Sequence, residues 1–94
     1  MTRKSIILTG YLRCKNSDET ELILKYLPGH IIASRQEPGC LKFIVRELSD
    51  GLTWEVSEQF VDQKSFKKHQ ERTKNSEWGR KTAHILRDYT MYEK

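Results

Sequence analysis

The alternation of apolar and polar residues is clearest in the first predicted β-strand, residues 5–14. Within it, Ile6 and Leu8 would point to one side of a sheet, while Ile7 and Thr9 would point to the other. This pattern is typical of a strand with one buried face. Three further stretches are predicted as strands, at 40–49, 52–61 and 84–92.

The Asp-Gly dipeptide at 50–51 is predicted to join the second and third strands as a two-residue β-hairpin loop. Such a loop fixes the register, so Arg46 would face Glu55 and Phe43 would face Glu58. The register also divides the side chains between two faces, and Glu58 is the charged exception on the apolar one. That face would carry Leu41, Phe43, Val45, Trp54, Val56, Glu58 and Phe60.

The segment between the first two strands predicts a helix. Its start is capped by Asn16, Ser17 or Asp18. An apolar seam runs straight through the Pro-Gly pair at 28–29, which predicts either a kink or two short helices. The helix stops at 37–39, where proline and glycine fit the central positions of a type II turn. The seam consists of Ile23, Leu27, Ile31 and Ser34.

A second helix is predicted to begin after Asp62, whose side chain can cap the first free N–H groups. Phe66 and His69 fall on one face of this helix, and a stripe of lysines falls on the opposite face. His69 would therefore point inward, towards the sheet face that carries Glu58. The helix breaks at 75–76, where the chain is capped again. We expect the functional site in this region.

The elements follow the order strand, helix, strand, strand, helix, strand, which predicts an α+β fold of the ferredoxin-like type. In this βαββαβ arrangement, helices cover one face of an antiparallel sheet. The whole chain, 1–94, is predicted to form one domain. The uncovered sheet face would carry Ile7, Tyr11 and Ile44 among polar residues, so we expect a homodimer joined through that face.

Charge and hydropathy argue against nucleic-acid and membrane partners. The net charge of +4 is mild, and basic residues alternate with acidic ones along the chain. Residues 53–58 contain two acids and no base, unlike the third strand of RNA-binding versions of this topology. The apolar run at 6–8 is too short for a signal peptide or a membrane span.

Cysteine and histidine usage argues against a disulfide framework and a metal site. Cys14 and Cys40 form no CxxC pair, and a cytoplasmic chain would keep them reduced. The histidines at 30, 69 and 84 lack the spacing of metal ligands. We therefore expect a cytoplasmic protein that holds no metal.

Several motifs in order give the chain a family resemblance. They are Glu37-Pro38-Gly39-Cys40, then Glu58-x-Phe60-x-Asp62, Phe66 and His69. Together they resemble the antibiotic biosynthesis monooxygenase family, also called quinol monooxygenase-like, which has the dimeric α/β barrel fold. The resemblance implies a homodimer whose two sheets form a barrel, with a pocket between sheet and helices in each subunit.

The resemblance also implies a chemistry. Enzymes of this family oxidise small phenolic or quinol-like rings with molecular oxygen and use no metal, haem or flavin cofactor. A base removes a ring hydroxyl proton, and an apolar pocket excludes water. The implied base is His69 or Glu58. The implied substrate-binding residues are Trp54, Phe60 and Trp78 as walls and Arg72, Arg87 and Tyr89 as groups that hold oxygens.

Other functions on this fold stay open or are disfavoured. Relatives that degrade haem use a first-strand asparagine, where this chain has Gly10-Tyr11, and His69 stands where they carry a tryptophan. A non-catalytic dimer that binds a small ligand is the main alternative. In that case Glu58 would simply be neutralised by His69 or an arginine, and the tryptophans would belong to the core.

Overall fold

The computed structural model describes residues 4–94, so residues 1–3 of the predicted domain lie outside it. The predicted order of elements is confirmed, with a short third helix added before the last strand. The fold is therefore α+β and ferredoxin-like. The elements are β1 (Ile6–Arg13), α1 (Ser17–Arg35), β2 (Cys40–Glu47), β3 (Thr53–Phe60), α2 (Gln63–Asn75), α3 (Glu77–Lys81) and β4 (Leu86–Glu93).

The four strands form one antiparallel sheet in the order β2-β3-β1-β4. The alternation predicted for β1 holds, because Ile6 and Leu8 are buried while Ile7 and Thr9 are only half-buried. Buried side chains from the strands and all three helices pack into a single core on one side of the sheet. The other side stays open. No helix among residues 4–94 is long and apolar enough to cross a membrane.

The predicted hairpin register is confirmed, since Arg46 pairs with Glu55 and Phe43 pairs with Glu58. The loop is longer than the predicted two residues: the backbone N–H of Leu48 donates to the carbonyl of Thr53 at 2.9 Å, which leaves 49–52 as the loop. Asp50 organises this loop by accepting hydrogen bonds from the backbone N–H groups of residues 52 and 53. The register survives because the extra residues were added equally to both sides of the dipeptide.

One prediction on the hairpin is wrong. Leu41 was expected on the covered face, but its side chain is 58% exposed. The cause is a β-bulge: Cys40 pairs with Phe60 and Lys42 with Gln59, so Leu41 has no partner on β3. The bulge turns Leu41 away from the core.

The first helix is one continuous helix through Pro28, and not two short helices. Its cap is Asn16, whose side chain accepts a hydrogen bond from the backbone N–H of Glu19 at 3.0 Å. The buried seam differs from the predicted one at one place, because His30 is buried and Ile31 is only half-buried. The period of 3.6 residues brings His30 back to the face that carries Ile23.

The turn after α1 is not the predicted type II turn. The backbone N–H of Cys40 donates to the carbonyl of Glu37 at 3.0 Å, which closes a four-residue turn. Gly39 does not have a positive φ, so the turn is of the type I family. Glycine is needed there for a different reason: a Cβ atom at Gly39 would collide with the side chain of Ser65 in the first turn of α2.

The caps predicted at 62 and 75–76 are confirmed for the helices that follow β3. Asp62 caps α2 by accepting a hydrogen bond from the backbone N–H of Ser65 at 2.8 Å. Ser76 ends α2 and also caps α3, since its hydroxyl accepts from the backbone N–H of Gly79 at 3.1 Å. This break directs Trp78 back towards the sheet, where it is buried.

Candidate functional site

A cavity of about 400 Å³ lies between the covered sheet face and the helices. Its walls are mostly apolar, and its rim includes the exposed residues Gln70, Lys74 and Ala83. This size and lining are typical of a small-molecule site. The apolar wall includes Leu8, Leu12, Leu27, Phe43, Val45, Val56 and Phe66, and the polar side chains among them belong to His30, Glu58, His69, Thr73, Arg87 and Tyr89.

His69 lies between two carboxylates. Its Nδ1 atom is 2.7 Å from Oε1 of Glu37, at hydrogen-bond distance. Its Nε2 atom is 3.6 Å from Oε1 of Glu58 and 3.5 Å from the hydroxyl of Thr73. The helix α2 supplies the imidazole, β3 supplies Glu58, and the turn after α1 supplies Glu37. The site therefore joins three separate parts of the chain.

Glu37 is fixed from its other side by Arg72. The Nε atom of Arg72 donates to Oε2 of Glu37 at 3.3 Å, and its Nη2 atom donates to the hydroxyl of Ser34 at 2.9 Å. Ser34 is fully buried on α1. Because each oxygen of Glu37 has its own donor, the carboxylate cannot rotate without breaking a hydrogen bond.

The electrostatics favour a neutral His69. Burial lowers the pKa of His69, and the hydrogen bond and charge of Glu37 only partly oppose this effect. A neutral imidazole carries one proton, so one of its nitrogens donates and the other accepts. Nδ1 faces Glu37, and Nε2 faces Glu58.

Glu58 is the second unusual titrating group. Burial, reinforced by the negative charge of Glu37, raises its pKa to about 7, and Arg87 offsets part of this rise. At neutral pH the carboxyl group is therefore protonated in a large fraction of molecules. It can donate a proton as well as accept one, which is the property that acid–base chemistry needs.

His30 completes an aromatic cluster beside His69. Its ring is stacked on Trp78 at a centroid distance of 5.1 Å and lies 5.6 Å from the ring of His69. Burial, with the nearby His69, lowers the pKa of His30 to about 3, so it is neutral. Its Nδ1 atom is buried without a hydrogen-bond partner among the described residues.

Arg87 and Tyr89 reach the pocket from β4. Arg87 is anchored by the carbonyl and hydroxyl oxygens of Thr82, and its guanidinium lies 5.8 Å from the centroid of the Trp78 ring. Burial raises the pKa of Tyr89, which keeps its hydroxyl protonated. Gly10, which pairs with Tyr89, leaves room for this edge strand, because a Cβ atom there would collide with the backbone of Asp88.

The structure brings five of the eight sequence-predicted site residues to the pocket wall and three elsewhere. Trp54 is buried in the core away from the pocket, and its Nε1 atom has no hydrogen-bond partner among residues 4–94. Phe60 is fully buried behind the imidazole, 4.7 Å from the His69 ring centroid. Arg72 holds Glu37 and does not line the pocket. The residues on the wall are Glu58, His69, Trp78, Arg87 and Tyr89.

Two residues of the site were not identified from the sequence. Glu37 was considered only as part of a helix stop, although it is the first residue of the Glu37–Cys40 motif that carried the family resemblance. His30 was considered only as a metal ligand, although its spacing from Ile23 places it on the buried face of α1. Within residues 4–94, no group of three or more His, Cys, Asp and Glu side chains is arranged to hold a metal ion.

Comparisons with solved structures agree with the fold. Rv0793 of Mycobacterium tuberculosis is 16% identical, with a TM-score of 0.72 over 94% of this chain and 92% of that one. PA3566 of Pseudomonas aeruginosa is 17% identical, with a TM-score of 0.71 over 100% and 95%. A conserved protein of unknown function from Bacteroides thetaiotaomicron is 14% identical, with a TM-score of 0.76 over 98% and 99%. At these identities the likeness shows the fold alone.

A search among curated proteins finds no match to this sequence. The family model for antibiotic biosynthesis monooxygenase, in contrast, matches residues 5–81. This range contains β1 to α3, and thus both carboxylates and the imidazole between them. The chain is a member of the antibiotic biosynthesis monooxygenase family.

Proposed function

We propose that the protein is a cofactor-independent monooxygenase that oxidises a small phenolic or quinol-like ring with molecular oxygen. The observation that carries this proposal is the neutral His69 in an apolar pocket, with its free nitrogen facing a carboxyl group whose pKa is raised to about 7. A base and an acid thus meet at the wall of a cavity that fits one aromatic ring.

The overall reaction converts a quinol and O₂ into a hydroxyquinone and water. Nε2 of His69 first takes a proton from a ring hydroxyl. The resulting anion passes one electron to O₂, which gives a ring radical and superoxide. The two combine at a ring carbon to form a peroxide, and protonated Glu58 donates its proton to the outer oxygen.

The second half of the reaction restores both side chains. The ring carbon loses its hydrogen as a proton to the Glu58 carboxylate, and the O–O bond breaks as a carbonyl forms. The departing hydroxide takes the proton from His69 and leaves as water. One oxygen atom of O₂ ends on the ring and the other in water, so the four electrons and all protons balance.

The remaining wall residues support this chemistry. Arg87 places a positive charge beside Trp78, where it stabilises an anionic ring oxygen. Trp78 and His30, already stacked on each other, give the pocket a flat aromatic side against which a ring can lie. The apolar lining excludes water and so protects the superoxide and the radical from side reactions.

The proposal includes a homodimer joined through the open sheet face. Ile44 and Tyr92 are exposed there at 43% and 48%, and Ile7 lies on the same face. Apolar groups of this kind on an uncovered sheet are suited to contact with a second sheet. The family resemblance supports the same arrangement, in which the two sheets close a barrel.

The test is oxygen consumption with a panel of hydroquinones, naphthols and anthrones, with ¹⁸O₂ to locate the label. We expect one labelled oxygen in the product, and we expect His69→Gln to lower kcat by about 100-fold or more, the scale of a lost general base. Lys67→Gln, on the exposed side of the same helix, is the matched control and should keep parental activity. Absence of turnover across the panel, or equal rates for His69→Gln and the parent, would refute the proposal.

A second candidate is a non-catalytic protein that binds a small ligand. It is favoured by one observation: hydrogen bonds already join Ser34, Arg72, Glu37 and Nδ1 of His69 without a ligand. The fluorescence of Trp78, at the pocket wall, would report binding in either case. Saturable binding of a quinol under air without oxygen uptake would favour this second function.

A further inference from the structure

We propose that Glu37 is a positioning residue, which holds His69 in the tautomer that carries its proton on Nδ1 and so presents Nε2 to the pocket as a proton acceptor. The consequence for turnover rests on the proposed function, whereas the tautomer itself does not. The proposal assigns a role to a residue that lies outside the pocket wall and acts on the chemistry only through the imidazole.

The geometry around the imidazole is asymmetric. Glu37 approaches Nδ1 at 2.7 Å, a hydrogen bond, while Glu58 approaches Nε2 at 3.6 Å, beyond hydrogen-bond distance. A neutral imidazole has a single proton to donate, and Nδ1 carries it because, within residues 4–94, Glu37 is the only carboxylate at hydrogen-bond distance from the ring. The hydroxyl of Thr73, 3.5 Å from Nε2, can donate to that nitrogen, which is compatible with the same tautomer.

Glu37 is held more firmly than a hydrogen bond to His69 alone would require. Arg72 already neutralises its charge and is itself fixed to the buried hydroxyl of Ser34. The turn that carries Glu37 is pressed against the first turn of α2 at Gly39 and Ser65. Both ends of the Glu37–His69 contact are therefore fixed to the same helix, which sets the plane and rotation of the ring.

The other titratable groups near His69 do not compete for Nδ1. His30 lies on α1 with its ring centroid 5.6 Å from that of His69, Glu58 faces the opposite nitrogen from β3, and Arg87 comes from β4. Among the described residues, Glu37 is thus the acceptor that decides which nitrogen is protonated. A substrate hydroxyl entering the pocket meets the other nitrogen.

The direct test is ¹⁵N NMR of the histidine rings in the parent protein, which has only three histidines to assign. We expect a protonated Nδ1 and an unprotonated Nε2 for His69. Glu37→Gln should weaken this preference, because its single amide oxygen cannot accept from both Nδ1 and Arg72. Glu37→Ala should lose the preference. A parental spectrum with the proton on Nε2 would refute the proposal without any assay of turnover.

Kinetics supply the second readout. Glu37→Ala should lower kcat at least about 10-fold, as expected when the group that orients a general base is removed. KM should change little, because Glu37 does not line the pocket. Glu37→Gln should show an intermediate loss, because its amide oxygen can serve only one of the two donors, His69 and Arg72. If Glu37→Ala unfolds, the parent spectrum and Glu37→Gln still decide the question.

The two proposals fail in different ways. If the parent turns over quinols but His69 carries its proton on Nε2, the positioning role and the assignment of Nε2 as the base are wrong, while the monooxygenase activity stands. If the tautomer is as expected but no substrate is oxidised, the function is wrong and Glu37 still fixes the ring. A normal kcat in Glu37→Ala, with the protein folded, would refute the positioning role in catalysis.

Discussion

Two carboxylate contacts of nearly equal length lie on opposite faces of the sheet. On the open face, Arg46 and Glu55 are 2.6 Å apart, and their side chains are 68% and 41% exposed. On the covered face, His69 and Glu37 are 2.7 Å apart, and their side chains are 6% and 18% exposed. The distances are alike, but the surroundings are not.

Burial decides what each contact can do. Water competes with the pair on the open face and salt screens it, so its contribution to stability is small. On the covered face the low dielectric strengthens each interaction and penalises each charge, which shifts pKa values and fixes protonation states. Contact length alone therefore does not identify a functional pair. The three predictions below test this contrast, in order of expected effect.

The largest effect is expected at His30, which lies on α1 above the covered face and has a strongly lowered pKa. Its pKa is lowered from 6.5 to about 3, so folding opposes its protonation, and stability is lost as pH falls below 6.5. His30→Phe removes this loss. Relative to the parent, its free energy of unfolding should rise as pH falls, by about 5 kcal/mol in total at 1.36 kcal/mol per unit.

Urea denaturation between pH 7 and pH 4 would measure about 3 kcal/mol of this change, because the remainder appears only below pH 4. The two ring types differ slightly in size, but any repacking effect is independent of pH and cancels in the difference between pH values. A difference between variant and parent that stays constant over this range would show that burial of His30 does not control its charge.

A smaller effect on stability, with the opposite dependence on pH, is expected at Glu58. Its pKa is raised from 4.5 to about 7, so the folded state favours the protonated form, and stability is lost as pH rises from 4.5 through 7. Glu58→Gln should match the parent near pH 4 and exceed it above pH 7 by about 3 kcal/mol.

Glu55→Gln is the matched control for this measurement, because Glu55 lies on the same strand and on the open face. Chemical denaturation at pH 4, 6 and 8 would compare the two variants. If the pH-dependent gain of Glu58→Gln does not exceed that of Glu55→Gln, then the contrast between the two faces fails.

The smallest effect is the difference in stability lost when the carboxylate of each contact, Glu37 or Glu55, is removed. Glu37→Ala leaves a buried Nδ1–H and the Arg72 guanidinium without their acceptor and should cost about 1–3 kcal/mol at neutral pH. Glu55→Ala removes an exposed ion pair and should cost about 0.2–1 kcal/mol. Adding 0.5 M NaCl should reduce only the second loss. Equal losses, equally sensitive to salt, would contradict the role given to burial.

The sequence predicted the framework well because its signals are local. Asp62 and Ser76 are caps whose function depends on the next three residues, and both were identified. The hairpin register also follows from residues close together in the chain. The bulge at Leu41 was missed because nothing in the alternation of β2 marks the residue at which pairing with β3 slips.

The candidate site was predicted in part, because its contacts join distant residues. His69 and Glu58 were found from helical spacing and from register, and both line the pocket. Their relation to Glu37 depends on how a turn packs against α2, which no periodicity records. Arg72 was assigned to the substrate for the same reason, since its partner Glu37 lies more than thirty positions away in the chain.

Gly39 has a consequence for how the sequence can vary. Its neighbour Pro38 is exposed and would accept many replacements, whereas any side chain at Gly39 would meet Ser65 and push the turn away from α2. That displacement would carry Glu37 away from His69. A position with no reactive group, outside the pocket, would thus be as intolerant of mutation as the imidazole itself, and a screen for loss of activity would place it among the active-site residues.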